Sequence, residues 1–292
     1  MCAKEKIRWG DRRDGIWLRD IDPMHGFMPY LMPNRADNEA FVREKIDLTA
    51  LEKYLAEKTK TDPDFKYTYF HAILAALVKT VVLRPDMNRF ISGNRLYMRR
   101  NITAAFTVKK RFADEAHEAL AFLKFDRDST IDSVHAQLRR EIIQLKKPEN
   151  TDNSTDAMAM LMKLPRPVIR IVMAVLRRLD YHGRVPYGLV KTDPNYATIF
   201  LSNLGSIKLN AAYHHLNNWG TNSFFVVIGE KSLQPFHDEN GNVEMRPALE
   251  IGMTLDERIA DGYYYSKSIR LFKHLLQHPE LLDTPAHEEV DY

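Results

Sequence analysis

ATIFLSNLG (197–205) and PALEIGMTLDERIADG (247–262) are the two stretches that decide how this chain reads. Each is an apolar run, long enough for a buried strand, that ends abruptly in polar groups. In the first, Ser202, Asn203 and Gly205 close the run, so a hydroxyl can protrude at the strand's end. In the second, Asp256, Glu257 and Arg258 interrupt the strand, and Asp261-Gly262 opens a helix. A carboxylate at that position caps the helix N-terminus. Charges that interrupt a buried strand need partners, so an ion-pair network with arginine is expected there.

Working outward, SFFVVIGEK (223–231) and the hairpin SLQPFHDENGNVEMRP (232–247) add further strands, with Asn240-Gly241 as a type I′ turn signal. DENGN (238–242) has a calcium-loop look but lacks the closing glutamate, so the hairpin reading wins. The helix after Gly262 runs YYYSKSIRLFKHLLQHPELL, followed by a polar, frayed tail, TPAHEEVDY. Upstream, EAFVREKI (39–46) alternates as a half-buried strand, and Thr49 with Glu52 forms a capping box ahead of a helix. TYFHAILAALVKTVVL (68–83) is apolar almost all round and reads as a central helix on a sheet. FISGNRLYM (90–98) is a hairpin turning at Ser92-Gly93-Asn94; ITAAFTVKK and EALAFLKF are strands; TIDSVHAQLRREIIQLKK (130–147) is a helix stopped by Pro148. ENTDNSTD (149–156) reads as a surface loop. Strands and helices alternate irregularly, which predicts an α+β fold with a mixed β-sheet covered by helices. Three segments follow: an N-terminal arm at 1–37, a main domain at 38–283 and a polar tail at 284–292.

The 292 residues carry 42 Lys+Arg against 39 Asp+Glu, a net charge of +3, which argues against a dedicated nucleic-acid binder. One cysteine, Cys2, excludes an intramolecular disulfide and cysteine-based zinc sites. The N-terminus lacks a signal core and no apolar run reaches membrane-spanning length, so a cytoplasmic location is expected. Neither a dinucleotide-binding GxGxxG nor a phosphate-loop GxxxxGKS is present. His274 and His278 sit four apart on the last helix without a suggestive third ligand, so no metal is expected. His214 and His215 lie in an Asn-rich stretch, NAAYHHLNNWG; side by side, at most one would point into a site. Within 156–182, Leu164, Val168, Ile171, Val175 and Leu179 form one apolar helical face, with Arg166, Arg170 and Arg177 grouped beside it. Packing of that face on the chain's own domain is the preferred reading over contact of 164–179 with an anionic membrane surface.

The order ATIFLSNLG, SFFVVIGEK, PALEIGMTLDERIADG and a helix ending HPELL resembles the catalytic domain of dihydrolipoamide acyltransferases, the 2-oxoacid dehydrogenase acyltransferases. The related chloramphenicol acetyltransferases share that core. IDLTALEKYLAEK and the helix and hairpin that follow are similar to the family's early elements, so the resemblance spans roughly 38–283. It implies a sheet covered by helices, a homotrimer with sites between subunits, and CoA and a small-molecule acyl acceptor meeting in one channel. By position, Ser202 matches the family's oxyanion serine, while Asp256, Arg258, Asp261 and Gly262 match the outer letters of DHRxxDG. Asn203 belongs to the same SNLG motif. An arginine partner for Asp261 is expected from the N-terminal arm, with Arg19 the candidate. The departure is Glu257, at the position of the catalytic histidine. A free glutamate titrates near 4.3 and a thiol near 8.5, so deprotonating a thiol is uphill by roughly 5–6 kcal/mol unless burial raises the carboxyl. Three outcomes stand: Glu257 is a tuned base, His214 or His215 replaces it, or the site binds without turnover. About 37 residues precede the match, too few for a lipoyl domain, so no lipoyl attachment is expected in this chain. The implied function is a stand-alone CoA-dependent acyltransferase moving an acyl group between a CoA thioester and a thiol, amine or hydroxyl. The alternative is a catalytically inactive homologue serving as a trimeric scaffold or acyl-CoA binder.

Overall fold

The computed structural model describes residues 8–109, 118–145, 160–191 and 193–292. The loop read at 149–156 lies outside them. Ten strands are described: β1 (Gly15–Trp17), β2 (Glu39–Asp47), β3 (Arg89–Ser92), β4 (Arg95–Arg99), β5 (Ile102–Lys109), β6 (Glu118–Phe125), β7 (Ile199–Asn203), β8 (Phe224–Ile228), β9 (Ser232–His237) and β10 (Val243–Asp256). Helices are α1 (Pro23–Leu31), α2 (Thr49–Thr59), α3 (Tyr69–Leu83), α4 (Ile131–Leu145), α5 (Arg166–Tyr181), α6 (Tyr187–Val190) and α7 (Gly262–Gln277).

The main sheet runs β2-β10-β8-β7-β5-β6, with β9 paired on β10, and a smaller sheet runs β1-β4-β3. β5, β7 and β8 are parallel to one another and the other pairs are antiparallel, so the sheet is mixed, as the sequence order implies. The two strand candidates after residue 242 are one strand. Pro247 sits within it where β10 passes from pairing β9 to pairing β2, and its carbonyl accepts from Leu48 N–H at 2.9 Å.

One sheet face carries the core. Leu249, Ile251, Met253 and Leu255 of β10, with Phe224, Val226 and Ile228 of β8, pack in a single cluster with α3 and α7. The alternate residues Phe225 and Val227 form a second cluster with Leu216, Phe200 and Leu204. That second face is covered by the chain around 209–216. A Cβ on Gly252 would overlap the Ala212 carbonyl, and one on Gly229 would overlap the Ala211 amide, so both glycines exist to admit that backbone.

Several local expectations give way to stronger partners. Thr49 and Glu52 form no capping box: Asp47 accepts the Thr49 N–H at 2.8 Å, while Glu52 accepts from Tyr69. The box forms instead on α3, between Thr68 and His71. The Asn240-Gly241 hairpin turns through a longer loop in which Asp238 accepts from the Asn240 and Asn242 amides, and only Gly241 takes positive φ. The arm contains β1 and α1, and the tail is docked: Ala286 is buried and His287 N–H donates to Arg127.

α5 presents a different face from the one the pattern suggests. Ile169, Val172, Met173 and Leu176 turn inward, half-buried, as does Leu179 of the expected face, while that face's Leu164, Val168, Ile171 and Val175 are exposed. Its apolar arc is wide enough for two faces, and the domain covers only one.

Gly252→Ala should lower stability by about 1–3 kcal/mol, read as a shifted urea midpoint, because the loop backbone must move aside. His71 is buried, its Nε2 has no hydrogen-bond partner among the described residues, and burial, with His135 nearby, holds its pKa down from 6.5 to about 4. The unfolded chain therefore takes up this proton first, so stability should fall by about 3 kcal/mol as pH drops from 6.5 to 4. His71→Phe should flatten that slope.

Candidate functional site

The charged end of β10 closes on itself. Arg258 Nε and Nη2 grip both carboxylate oxygens of Asp256 at 2.8 and 2.7 Å, and both residues are 1% exposed. Arg258 Nη1 donates to the Met32 and Pro33 carbonyls at 3.1 and 3.0 Å. A second buried arginine, Arg35, brings its Nε to 3.6 Å from Asp256 and donates to the Asn217 and Gly220 carbonyls at 2.5 and 2.8 Å. Burial holds the Arg35 pKa below its usual value, opposed by Asp256 and reinforced by Arg258. Tyr265 of α7 adds a 2.6 Å hydrogen bond to the Asp256 carbonyl. The network expected at this interruption is present, and it joins the arm, the 217–220 loop, β10 and α7 at one point.

Glu257 is carried on that point. Its N–H donates to the Asn38 carbonyl at 2.9 Å and its side chain is exposed. Asp261 Oδ1 accepts the Tyr264 N–H at 2.7 Å and caps α7, which Gly262 begins. Arg19 is occupied elsewhere, donating to the Trp9 carbonyl at 2.5 Å and lying over Trp17 at 4.6 Å. The buried arginine–aspartate contact is thus Arg35 with Asp256, and not Arg19 with Asp261. Arg35 comes from the PNRAD segment of the arm, where nothing but a single basic residue after a proline signalled it.

Ser202 lies elsewhere on the same sheet. It pairs with Val227 of β8, which in turn faces Gly252 of β10. Glu257 is five residues beyond Gly252, so the two side chains lie roughly 16 Å apart along the strands and about 10 Å apart across them. Within one chain they do not meet. Ser202 is half-buried on the face of Phe200, and among the described residues its hydroxyl has no hydrogen-bond partner. Asn203 Oδ1 caps the next turn, accepting the Ser206 N–H at 3.3 Å.

The two histidines point to different surroundings. His214 stacks on Phe225 at 4.4 Å, on the Ser202 face of the sheet. His215 Nδ1 is 2.8 Å from Glu39 and its side chain is 82% exposed. His274 and His278 lie 4.4 Å apart, and among the described residues no group of three potential ligands could hold a metal. No described helix is long and apolar enough to cross a membrane.

A cavity of about 780 Å³ opens at the Glu257 end of the sheet. Arg258, Arg35, Asp180, Asp193, Trp219 and Tyr181 are among its walls. Burial raises the Asp180 carboxyl, which accepts from Tyr196 at 2.6 Å.

Residues 188–283 match the family model for the 2-oxoacid dehydrogenases acyltransferase catalytic domain, a span that includes both SNLG and DERIADG. Solved structures agree on the fold. A probable dihydrolipoamide acetyltransferase from Listeria monocytogenes superposes with a TM-score of 0.56 at 13% identity, covering 89% of this chain and 94% of that one. A truncated catalytic core of the 2-oxoacid dehydrogenase multienzyme complex from Thermoplasma acidophilum gives 0.55 at 12%, covering 90% and 98%. A chloramphenicol acetyltransferase gives 0.52 at 15%, covering 90% and 98%. No curated protein sequence matches. The acyltransferase fold therefore extends over about nine-tenths of the chain, and residues 188–283 carry the acyltransferase family pattern.

Removing one partner of the buried pair leaves an uncompensated charge, whereas Glu257 touches little. Arg258→Met should cost about 3–5 kcal/mol in urea unfolding, and Glu257→Ala less than about 0.5 kcal/mol.

Proposed function

We propose that this chain is a CoA-dependent acyltransferase acting as a homotrimer, with Ser202 of one copy and Glu257 of the next sharing each reacting centre. The observation that carries this reading is the strand register, which sets the two groups at opposite ends of one sheet. A head-to-tail ring of copies brings opposite ends of neighbouring chains together and closes on itself. Two further facts support it: a Ser202 hydroxyl without a hydrogen-bond partner among the described residues, and a Glu257 side chain left exposed on a rigid turn.

In this scheme a thiol, amine or hydroxyl acceptor attacks the thioester carbonyl carbon of acyl-CoA. Glu257 takes the acceptor's proton as the new bond forms. Ser202 donates to the oxyanion, a contribution of about 3 kcal/mol for one such donor. Collapse breaks the carbon–sulfur bond, and the CoA thiolate recovers the proton from Glu257. Asp261 stays a helix cap that fixes where α7 begins, and the Asp256–Arg258–Arg35 cluster positions the turn. The cavity beside Arg258 has the volume of an ordinary small-molecule site.

A second reading rests on one observation: the buried cluster holds the turn whether or not Glu257 reacts. The same assembly then binds acyl-CoA as a scaffold without turnover.

Release of free thiol from acetyl-CoA with a panel of acceptors separates the two. Ser202→Ala and Glu257→Gln should each lower the rate about 10²-fold or more. Co-assembling the two variants should restore about a quarter of the wild-type sites, since an intact pair needs one residue from each copy. Absence of turnover with every acceptor, together with acetyl-CoA binding, selects the scaffold. Activity that co-assembly fails to restore removes the shared centre.

A further inference from the structure

A second cavity, of about 640 Å³, lies between the start of β5, the end of β6 and the segment that follows α5. It is at the opposite end of β5 and β7 from Ser202, and it shares no lining residue with the cavity beside Arg258. Among the described residues its walls carry six basic side chains and one carboxylate, Asp14. That carboxylate is already used: Arg12 Nε and Nη2 hold its two oxygens at 2.8 and 3.1 Å.

Arg99, 5% exposed, lines the same cavity. Its guanidinium donates to neutral oxygens, the Tyr196 carbonyl at 2.8 Å and the Thr221 carbonyl at 2.6 Å, and its Nε has no hydrogen-bond partner among the described residues. Burial, with Arg12 and Arg35 nearby, pulls its pKa down to about 9 against the opposing pull of Asp14. A buried cation without a carboxylate of its own is costly unless an anion neutralises it.

Around it, Arg13, Lys124, Arg184 and Lys191 are exposed lining groups. Among the described residues no carboxylate lies within ion-pair distance of any of the four. Phe122 and Tyr187 supply aromatic walls, and Arg13 lies 5.5 Å over the Tyr187 ring. The cavity thus combines an excess of unneutralised guanidinium and ammonium groups with ring surface on which a flat body can lie. Phosphate oxygens take charge-assisted hydrogen bonds from both kinds of group.

We propose that this cavity is a binding site for a soluble phosphorylated small molecule, with Arg13, Lys124, Arg184 and Lys191 receiving its phosphoryl oxygens and Arg99 behind them. The site stands independently of the acyl-transfer reading, because none of these residues is assigned a part in it. Anionic lipid headgroups offer the same phosphate chemistry, so the test includes them.

Calorimetry on the full chain measures binding of inorganic pyrophosphate and of ADP. Sedimentation with phosphatidylcholine vesicles, with and without phosphatidylglycerol, measures lipid binding. The expected result is saturable binding of pyrophosphate or ADP that weakens at least ~10-fold in Arg184→Glu and in Lys124→Glu. Arg170→Glu makes the same charge change on the exposed part of α5 outside the cavity and should leave affinity within about twofold. Unchanged circular dichroism and melting temperature show that each variant is folded. Absence of binding of either soluble phosphate, equal loss in Arg170→Glu, or binding confined to phosphatidylglycerol vesicles would each overturn the proposal.

Discussion

One carboxylate, Asp256, held between two buried arginines, fixes the geometry on which the rest depends. β10 is the longest of the described strands and pairs with three neighbours, so wherever it ends, the sheet's edge is defined. Arg258 turns back onto Asp256, and Arg35 reaches in from the arm. Both arginines also satisfy backbone carbonyls that no strand or helix would otherwise serve. A buried pair of this kind adds little net stability over an apolar substitute, but losing one member is expensive. Its effect is to specify where the chain turns.

That turn and the Ser202 strand end were both legible in the sequence, for the same reason: an apolar run that stops on charges or on Ser-Asn-Gly leaves few alternatives. The order of strands and the central α3 helix were legible too, because hydrophobic periodicity is a strong signal over such lengths. What the sequence did not show was relational. Arg35 is one basic residue in the N-terminal arm, and nothing local marks it as the partner of a residue more than two hundred positions away. The spacing of α5 allowed two apolar faces, and only packing decides which one the domain covers. Thr49 and Glu52 satisfied a capping pattern, yet Asp47 and Tyr69 offered better-placed partners. Local rules name candidates, and tertiary neighbours choose among them.

The separation of Ser202 from Glu257 is the most consequential of these relational facts. Motif proximity in the family pattern suggests one pocket, whereas the register sets the two motifs at opposite ends of the sheet. Both facts hold together when the pocket is built by neighbours. Such an arrangement also accounts for the polar character of both ends: at one, a hydroxyl without a hydrogen-bond partner among the described residues, and at the other an exposed carboxylate on a fixed turn. The residue at that turn can change without disturbing the scaffold, since the Glu257 side chain is exposed and contributes nothing to the buried cluster.

The most direct measurement is a cross-link between the two motifs. Ser202→Cys and Glu257→Cys, combined in a Cys2→Ser background, leave two thiols per chain that are too far apart to bridge within it. A short bismaleimide should join neighbouring copies through these positions into a covalent trimer on a denaturing gel, and neither single variant should form more than a trace. Chains that remain monomeric on the gel, with both thiols still reactive toward a monofunctional maleimide, would contradict a centre shared between copies.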